Sequence, residues 1–288
     1  MTAFAELFIG GLMSGLVVGL AALGITLVFG IARFANASAG DAMTAGAYVA
    51  LSASGLTGSI IMGGLVSVLA GAAIGVASYA LVFRKLAGRS SVTALLASIG
   101  VAFIIRAVVG VIFGHQQQVF QLPLVRPFRV FDIRIQPNDL NLAIVAATTL
   151  AVVFLILYAT PIGRRMRAVA DNPGLAQISG ISPTRVMVAL WALAGSVSAV
   201  AGVMSGIKTV VTPEMGWEML LPAFAAVILG GIGHPVGAVL GGILLGTLQE
   251  IATPFVGFTY KIAIAFAVLL VVLLLRPVGL LGRVEGVR

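Results

Sequence analysis

Few residues of this chain have side chains able to do chemistry, and apart from Arg106 those of most interest fall in three places. The first is ARFANASAGDAMTAGAYVA, residues 32–50, where Asn36, Ser38, Asp41 and Thr44 interrupt an apolar region among small neighbours. A carboxylate at membrane depth is expensive and usually faces a cavity or a partner. Asp41 equally suits the first turn of a helix at the interface, where the helix dipole favours an acid. Arg106, inside AFIIRAVVG, is deeper. It either snorkels outward or faces the bundle. The second place is VILGGIGHPVGAVLGGILLG, residues 227–246. Gly230, Gly231 and Gly233 followed by His234-Pro235 break any helix there. Two readings stay open. Half-helices meeting at depth would expose backbone groups to a pathway or gate. Alternatively, a tight cytoplasmic turn joins two short spans. The third place is the polar run GRRMRAVADNPGLAQISGISPTR, residues 163–185.

Several chemistries are excluded by inventory. The chain has no cysteine, so disulfides, thiolate metal sites and thiol nucleophiles are ruled out. No glycine precedes a lysine, so no Walker A loop can cradle ATP phosphates. His115 and His234 are far apart, without cysteine, which leaves neither a metal site nor a serine–histidine protease supported. No cofactor and no catalytic residue are expected. A net charge of +8 would suggest nucleic acid in a soluble protein. Here the cations sit beside span ends, so they report membrane orientation rather than a nucleic-acid partner.

The elements that position these residues are membrane spans. The chain is 60% hydrophobic and 9% charged, against about 25% charged residues in soluble domains. The first apolar run, from Phe4 to Ile31, is too long for a signal-peptide core and lacks a preceding basic residue. Taking roughly 20 apolar residues per span, the candidates are about 7–31, 39–56, 59–83, 92–113, 140–159, 186–206, 219–233, 236–252 and 259–275. The second, seventh and eighth are short, so the expected fold is an all-α polytopic bundle of eight or nine spans, some broken or re-entrant. Glycine is abundant, 36 of 288 residues, and lets apolar helices approach closely. Gly11, Gly15 and Gly19 share one face, as do Gly71 with Gly75 and Gly237 with Gly241. Arg33, the group Arg84, Lys85 and Arg89, the run Arg164–Arg185 and the group Arg276, Arg283 and Arg288 can all be cytoplasmic if the N-terminus is outside and the span count is odd. Residues 114–139 then lie outside, and their run PFRVFDIRIQP alternates like a short hairpin or edge strand. Glu214 and Glu218, also outside, either meet a docking protein or are solvated. Glu250 and Lys261 flank a turn containing Pro254 and are placed to pair.

Within the loop at about 160–185, Asp171 or Asn172 can cap a helix whose first residue is Pro173. Gly180 stands where a short helix would end. Ser182-Pro183 repeats the start signal for the next span. An independently capped helix is more than a linker needs, and it suits a handle that another protein grips.

Four blocks carry a resemblance: GLAALGITLVFGIARFANASAGDAMTAGAYVA from Gly19, RAVADNPGLAQISGI from Arg167, LGGIGHPVGAVLGG from Leu229, and RPVGLLG from Arg276. On these, the whole chain resembles the permease family of branched-chain amino acid ABC transporters, the LivH-type membrane subunit. The resemblance implies a multi-pass permease of a bacterial inner membrane with a cytoplasmic C-terminus. Its partners would be a second homologous permease, two cytoplasmic ATPase subunits and a periplasmic binding protein. It also implies that the helix Pro173–Ser179 is the coupling helix seated in an ATPase groove. Arg167, Asp171, Asn172, Pro173, Gly180 and Ile181 are the positions carried over. The chain departs at Asn36-Ala37-Ser38-Ala39-Gly40-Asp41, where family members often read N-F-A-H-G-E. Relatives handle urea, short amides and aromatic acids as well as branched-chain amino acids. Asn36, Asp41, Arg106, Gly230, Gly231 and Gly233 are the candidates for the pathway or gate. The alternative is an ion-coupled secondary transporter or channel without an ATPase, with Asp41 as its coupling acid.

Overall fold

The computed structural model describes residues 2–122, 128–130, 133–257, 260–276 and 278–282. Among them the chain is helical apart from one small hairpin. In order, the helices are α1 (Thr2–Ala32), α2 (Ser38–Thr57), α3 (Ile60–Ser78), α4 (Ser91–Phe113), α5 (Pro137–Ala159), α6 (Pro161–Asp171), α7 (Pro173–Ile178), α8 (Pro183–Lys208), α9 (Met215–Gly230), α10 (Pro235–Val256) and α11 (Lys261–Leu275). A π-helical turn, Tyr79–Phe83, prolongs α3. The expected alternating run contains β1 (Phe128–Val130) and β2 (Ile133–Ile135), antiparallel with Phe128 opposite Ile135. Asp132 and the prolines Pro123 and Pro127 lie outside the described residues, as do Arg283 and Arg288.

Each of the nine expected apolar segments is a helix. Six described helices are long and apolar enough to cross a membrane: α1, α3 with its π turn, α4, α5, α8 and α10. Shorter apolar helices are α9, of 16 residues, and α11, of 15. The remaining one, α2, has 20 residues but carries Ser38, Asp41 and Thr44 in its first two turns.

Several boundaries differ by three to five residues from the sequence expectation, α1 starting at Thr2 and α10 running on to Val256 among them. The seventh segment starts at Met215 rather than about 219 and stops at Gly230 rather than about 233. Its start is fixed by Gly216, whose backbone N–H donates to Thr44 Oγ1 at 3.0 Å. Its end is fixed by Gly231, whose φ of +106° no ordinary helix continues. The polar loop after the fifth segment also holds an additional helix, α6, which the charge pattern hid. Thr160 caps it by accepting from Gly163 N–H at 3.3 Å, with Pro161 at the first position.

Close helix contacts follow the glycine faces. A Cβ built on Gly246 would stand 2.4 Å from Gly15 Cα, and one on Gly242 would stand 2.4 Å from Gly19 Cα. Thus α1 and α10 touch backbone to backbone, antiparallel. Gly71 and Gly75 meet Gly195 and Trp191 in the same way, joining α3 to α8. Lipid offers helices no hydrophobic reason to associate, so such contacts supply dispersion energy that bulkier side chains would prevent. Helices α3, α4, α5 and α11 present large exposed apolar residues such as Ile61, Leu69, Val111, Leu155 and Leu274.

Candidate functional site

Between α1 and α2 the helix breaks inside the bundle. Arg33, at φ +59°, ends α1, and residues 33–37 are not helical. Yet Phe34, Asn36 and Ala37 are all buried. Buried irregular backbone demands partners, and the sequence supplies them. Asn36 Oδ1 accepts from Ser38 N–H at 3.1 Å and from Ser38 Oγ at 2.7 Å. Ala37 N–H donates to Ser98 Oγ on α4 at 3.0 Å. Ser91 Oγ donates to the Arg33 carbonyl at 3.1 Å. Asn36, Ser38, Ser91 and Ser98 are therefore the devices that let α2 begin inside the bundle. The small residues beside them are needed because α9 begins against the same turn: a Cβ on Gly40 would lie 2.6 Å from Gly216 O.

Both open readings of Asp41 and Arg106 resolve into one contact. Asp41 sits in the first turn of α2, fully buried. Arg106 lies roughly 22 Å along α4 from Ser91. Its Nε donates to Asp41 Oδ1 at 2.9 Å and its Nη2 donates to Oδ2 at 3.1 Å. The guanidinium also lies 5.3 Å from the Phe103 ring centre and 5.2 Å from that of Trp217 on α9. The fork satisfies both carboxylate oxygens, and the two rings, themselves 6.3 Å apart, lie together against the cation. Both of the sequence's readings had a part: the acid is in a first helical turn, and the arginine faces the bundle. A cavity of about 20 Å³, room for about one water, adjoins the break and is lined by Asn36, Ser38, Ser78, Trp191 and Ser198.

The GGIGHP stretch is a tight turn between two packed helices. His234 Nδ1 accepts from Gly237 N–H at 3.1 Å, capping α10. Gly230 and Gly237 touch, and Gly231 and Gly233 both take positive φ. What the sequence left unread is the role of the C-terminal block. Leu280 N–H donates to Leu229 O at 2.8 Å and Leu281 N–H to Gly230 O at 3.0 Å. The RPVGLLG block thereby satisfies carbonyls at the end of α9 that the glycines leave open. Glu250 and Lys261 pair at 2.5 Å, as their spacing suggested.

The polar loop is a built structure. Asn172 is the cap, with Oδ1 accepting from Leu175 N–H at 3.0 Å; Asp171 is the last residue of α6. Gly180, at φ +80°, ends the turn after α7, and Ile181 N–H reaches Ala176 O at 2.9 Å. Ser182 makes no side-chain cap bond, so Pro183 alone marks the start of α8. Of α7 only Ala176 is buried, while Leu175 is 62% and Ile178 86% exposed. Arg167 is turned the other way. It donates to the Leu157 carbonyl and stacks 5.6 Å over Tyr158, which ties α6 to α5. Arg33 Nη2 donates to Ala170 O at 3.2 Å, so the loop is also bolted to the end of α1. Asp171 and His234 line one cleft of about 510 Å³ with Gly233 and Gly282. The loop, the α9–α10 turn and the C-terminal block thus share one end of the bundle. Among the described residues no His, Cys, Asp or Glu cluster suits a metal ion.

The family model for "Branched-chain amino acid transport system / permease component" matches residues 7–273. The chain is 27% identical to the high-affinity branched-chain amino acid transport system permease protein BraD of Pseudomonas aeruginosa, over 98% of this chain and 97% of that one. It is 28% identical to the high-affinity branched-chain amino acid transport system permease protein LivH of Salmonella typhimurium, over 98% and 96%. It is also 37% identical to the ribose import permease protein RbsC of Bacillus subtilis, over 38% of this chain and 36% of that one. With a match that runs through the broken segment, the polar loop and the glycine-rich turn alike, the chain belongs to the permease-component family of branched-chain amino acid transport systems.

Proposed function

We propose that this chain is the membrane-spanning permease subunit of an ABC importer for branched-chain amino acids or related small polar solutes. ATP hydrolysis takes place in separate cytoplasmic subunits. The observation that carries the reading is α7: a capped six-residue helix with two bare apolar side chains, Leu175 and Ile178, fastened to α1 and α5 through α6. Such a helix suits a groove in a partner protein and transmits force to the bundle. Asn172, Pro173 and Gly180 hold its shape, Ile181 closes its C-terminal turn, and Arg167 and Asp171 belong to the arm behind it. Two ATPase subunits, a second homologous permease and a periplasmic binding protein complete the assembly. The subunit sits in the bacterial inner membrane with α2, α9 and α11 also embedded, the N-terminus outside, and α7 and the C-terminus cytoplasmic. Asn36, Asp41 and Arg106 flank the pathway, and Gly230, Gly231 and Gly233 form the turn that lets α9 and α10 move together. The Asp41–Arg106 fork argues against a proton-carrying Asp41 and so against an ion-coupled carrier. The similarity to a ribose permease over part of the chain keeps the solute class broad.

The test is a mild-detergent pull-down of the tagged chain from its native membrane. Co-purification of an ATPase and a second permease is the expected result. A homo-oligomer free of any ATPase would overturn it.

A further inference from the structure

Four aromatic side chains from three stretches of sequence stack in the end of the bundle nearest α7. Phe34 and Phe83 have ring centres 5.2 Å apart, and Phe83 and Trp191 4.5 Å. Tyr79 completes the group 6.2 Å from Trp191. All four are at least nine-tenths buried. The stack stands between two cavities. Phe34, Tyr79 and Phe83 line one of about 380 Å³, which opens beside the exposed Gly88 and Arg89 and reaches Val169 and Pro173 of the polar loop. Trp191 lines the small cavity with Asn36, Ser38, Ser78 and Ser198.

Three features set this stack apart from ordinary core packing. Phe34 rides on the non-helical stretch 33–37. Tyr79 and Phe83 bound the π-helical turn, a distortion that often marks a functional place in a helix. Trp191 buries its indole N–H with no hydrogen-bond partner. Static cores seldom leave such a donor unpaired. Beside the small cavity, it is a donor available to a carboxylate or carbonyl oxygen of a passing solute.

We propose that Phe34, Tyr79, Phe83 and Trp191 are a gate that closes the small cavity from the α7 side. This rests on the permease reading, and it names residues and a side of closure that the reading does not. Pro173 starts α7 and lines the same outer cavity as Phe34 and Phe83. A shift of α7 therefore reaches the stack directly.

The chain contains no cysteine, so single introduced thiols report accessibility cleanly. Ser198→Cys, on the cavity wall, is prepared alone and with Phe83→Ala, Phe34→Ala or Trp191→Phe, in inside-out vesicles of the native membrane. A small membrane-impermeant methanethiosulfonate is the probe. Ser198→Cys alone should label slowly. Phe83→Ala and Phe34→Ala should each raise the rate at least about tenfold, the factor expected from losing ring contacts of ordinary strength. Trp191→Phe preserves a ring and should leave the cavity closed. Rapid labelling with the stack intact overturns the gate, and so does slow labelling in both alanine variants. Should one alanine variant fail to accumulate as folded protein, the other decides. The readout needs neither ATP nor solute. A pull-down without an ATPase would end the importer reading while this result stood or fell by itself.

Discussion

The Asp41–Arg106 fork makes the sharpest demand on the structure, and its two halves are not equivalent. Removing one member of a buried ion pair strands the other and typically costs about 3–5 kcal/mol. Arg106→Gln strands a carboxylate whose side chain is fully buried. No other cation forms a salt bridge with it among the described residues. That variant should fall near the upper end, about 5 kcal/mol. Asp41→Asn strands a guanidinium that is 18% exposed and still rests against Phe103 and Trp217, each ring contact being worth about 0.5–2 kcal/mol. The amide oxygen also keeps one of the two hydrogen bonds. That variant should lose only about 2–3 kcal/mol. The double variant, with neither charge, should be more stable than the two losses summed, by a coupling of at least about 2 kcal/mol. Unfolding of the purified chain by SDS in mixed micelles measures all four corners of the cycle. Additivity within about 0.5 kcal/mol, or Asp41→Asn being the worse of the two, would refute the reasoning.

Three further outcomes follow from named geometry. Gly180→Val forces a branched side chain to φ +80°, a strain of about 1–3 kcal/mol; the complex should still assemble and hydrolyse ATP, but solute moved per ATP should fall, and an unchanged ratio would count against the handle. Gly246→Val places a Cβ 2.4 Å from Gly15 Cα, with backbone on the other side and nothing able to yield. It should sharply reduce the folded fraction on size exclusion, whereas Gly55→Ala, which meets nothing within 4 Å, should not. His234→Ala removes the α10 cap at a loss of about 1 kcal/mol, and His234→Asn should recover most of it in the same micelle assay; equal loss in both would mean that the imidazole does something other than cap.

The parts legible in the sequence were those set by local chemistry. Asn172-Pro173 and Gly180 write α7 because a cap, a fixed φ and a left-handed stop act within a few residues of one another. The same grammar stood at Thr160-Pro161, yet α6 went unread because its arginines looked like a loop that reports orientation. Once Arg167 is seen bonded to the Leu157 carbonyl, those charges belong to a helix arm. The break at residues 33–37 was legible as polarity out of place. Its depth was not, since that depends on Ser91 and Ser98 reaching it from α4.

What stayed hidden is tertiary by nature. Asp41 and Arg106 are 65 residues apart, and the aromatic stack joins positions 34, 79, 83 and 191. In a soluble helix the polar face would at least show which side looks inward. In a chain whose outer surface is itself apolar, that signal is lost, and glycine spacing takes its place. It marked the face of α1 that carries Gly11, Gly15 and Gly19, which packs on α10, because only a missing side chain permits such proximity; the pair Gly237 and Gly241 faces α9 instead. Aromatics carry no comparable mark, since a phenylalanine suits lipid and core alike. The same physics explains why α2 can begin buried in the bundle. Away from water, every N–H of the first turn must find protein, and Asn36 and Ser98 accept those of Ser38 and Ala37. Three buried polar groups among the described residues escape this satisfaction, Thr26 Oγ1, the Tyr48 hydroxyl and the Trp191 indole N–H, and of these Trp191 alone belongs to the aromatic stack.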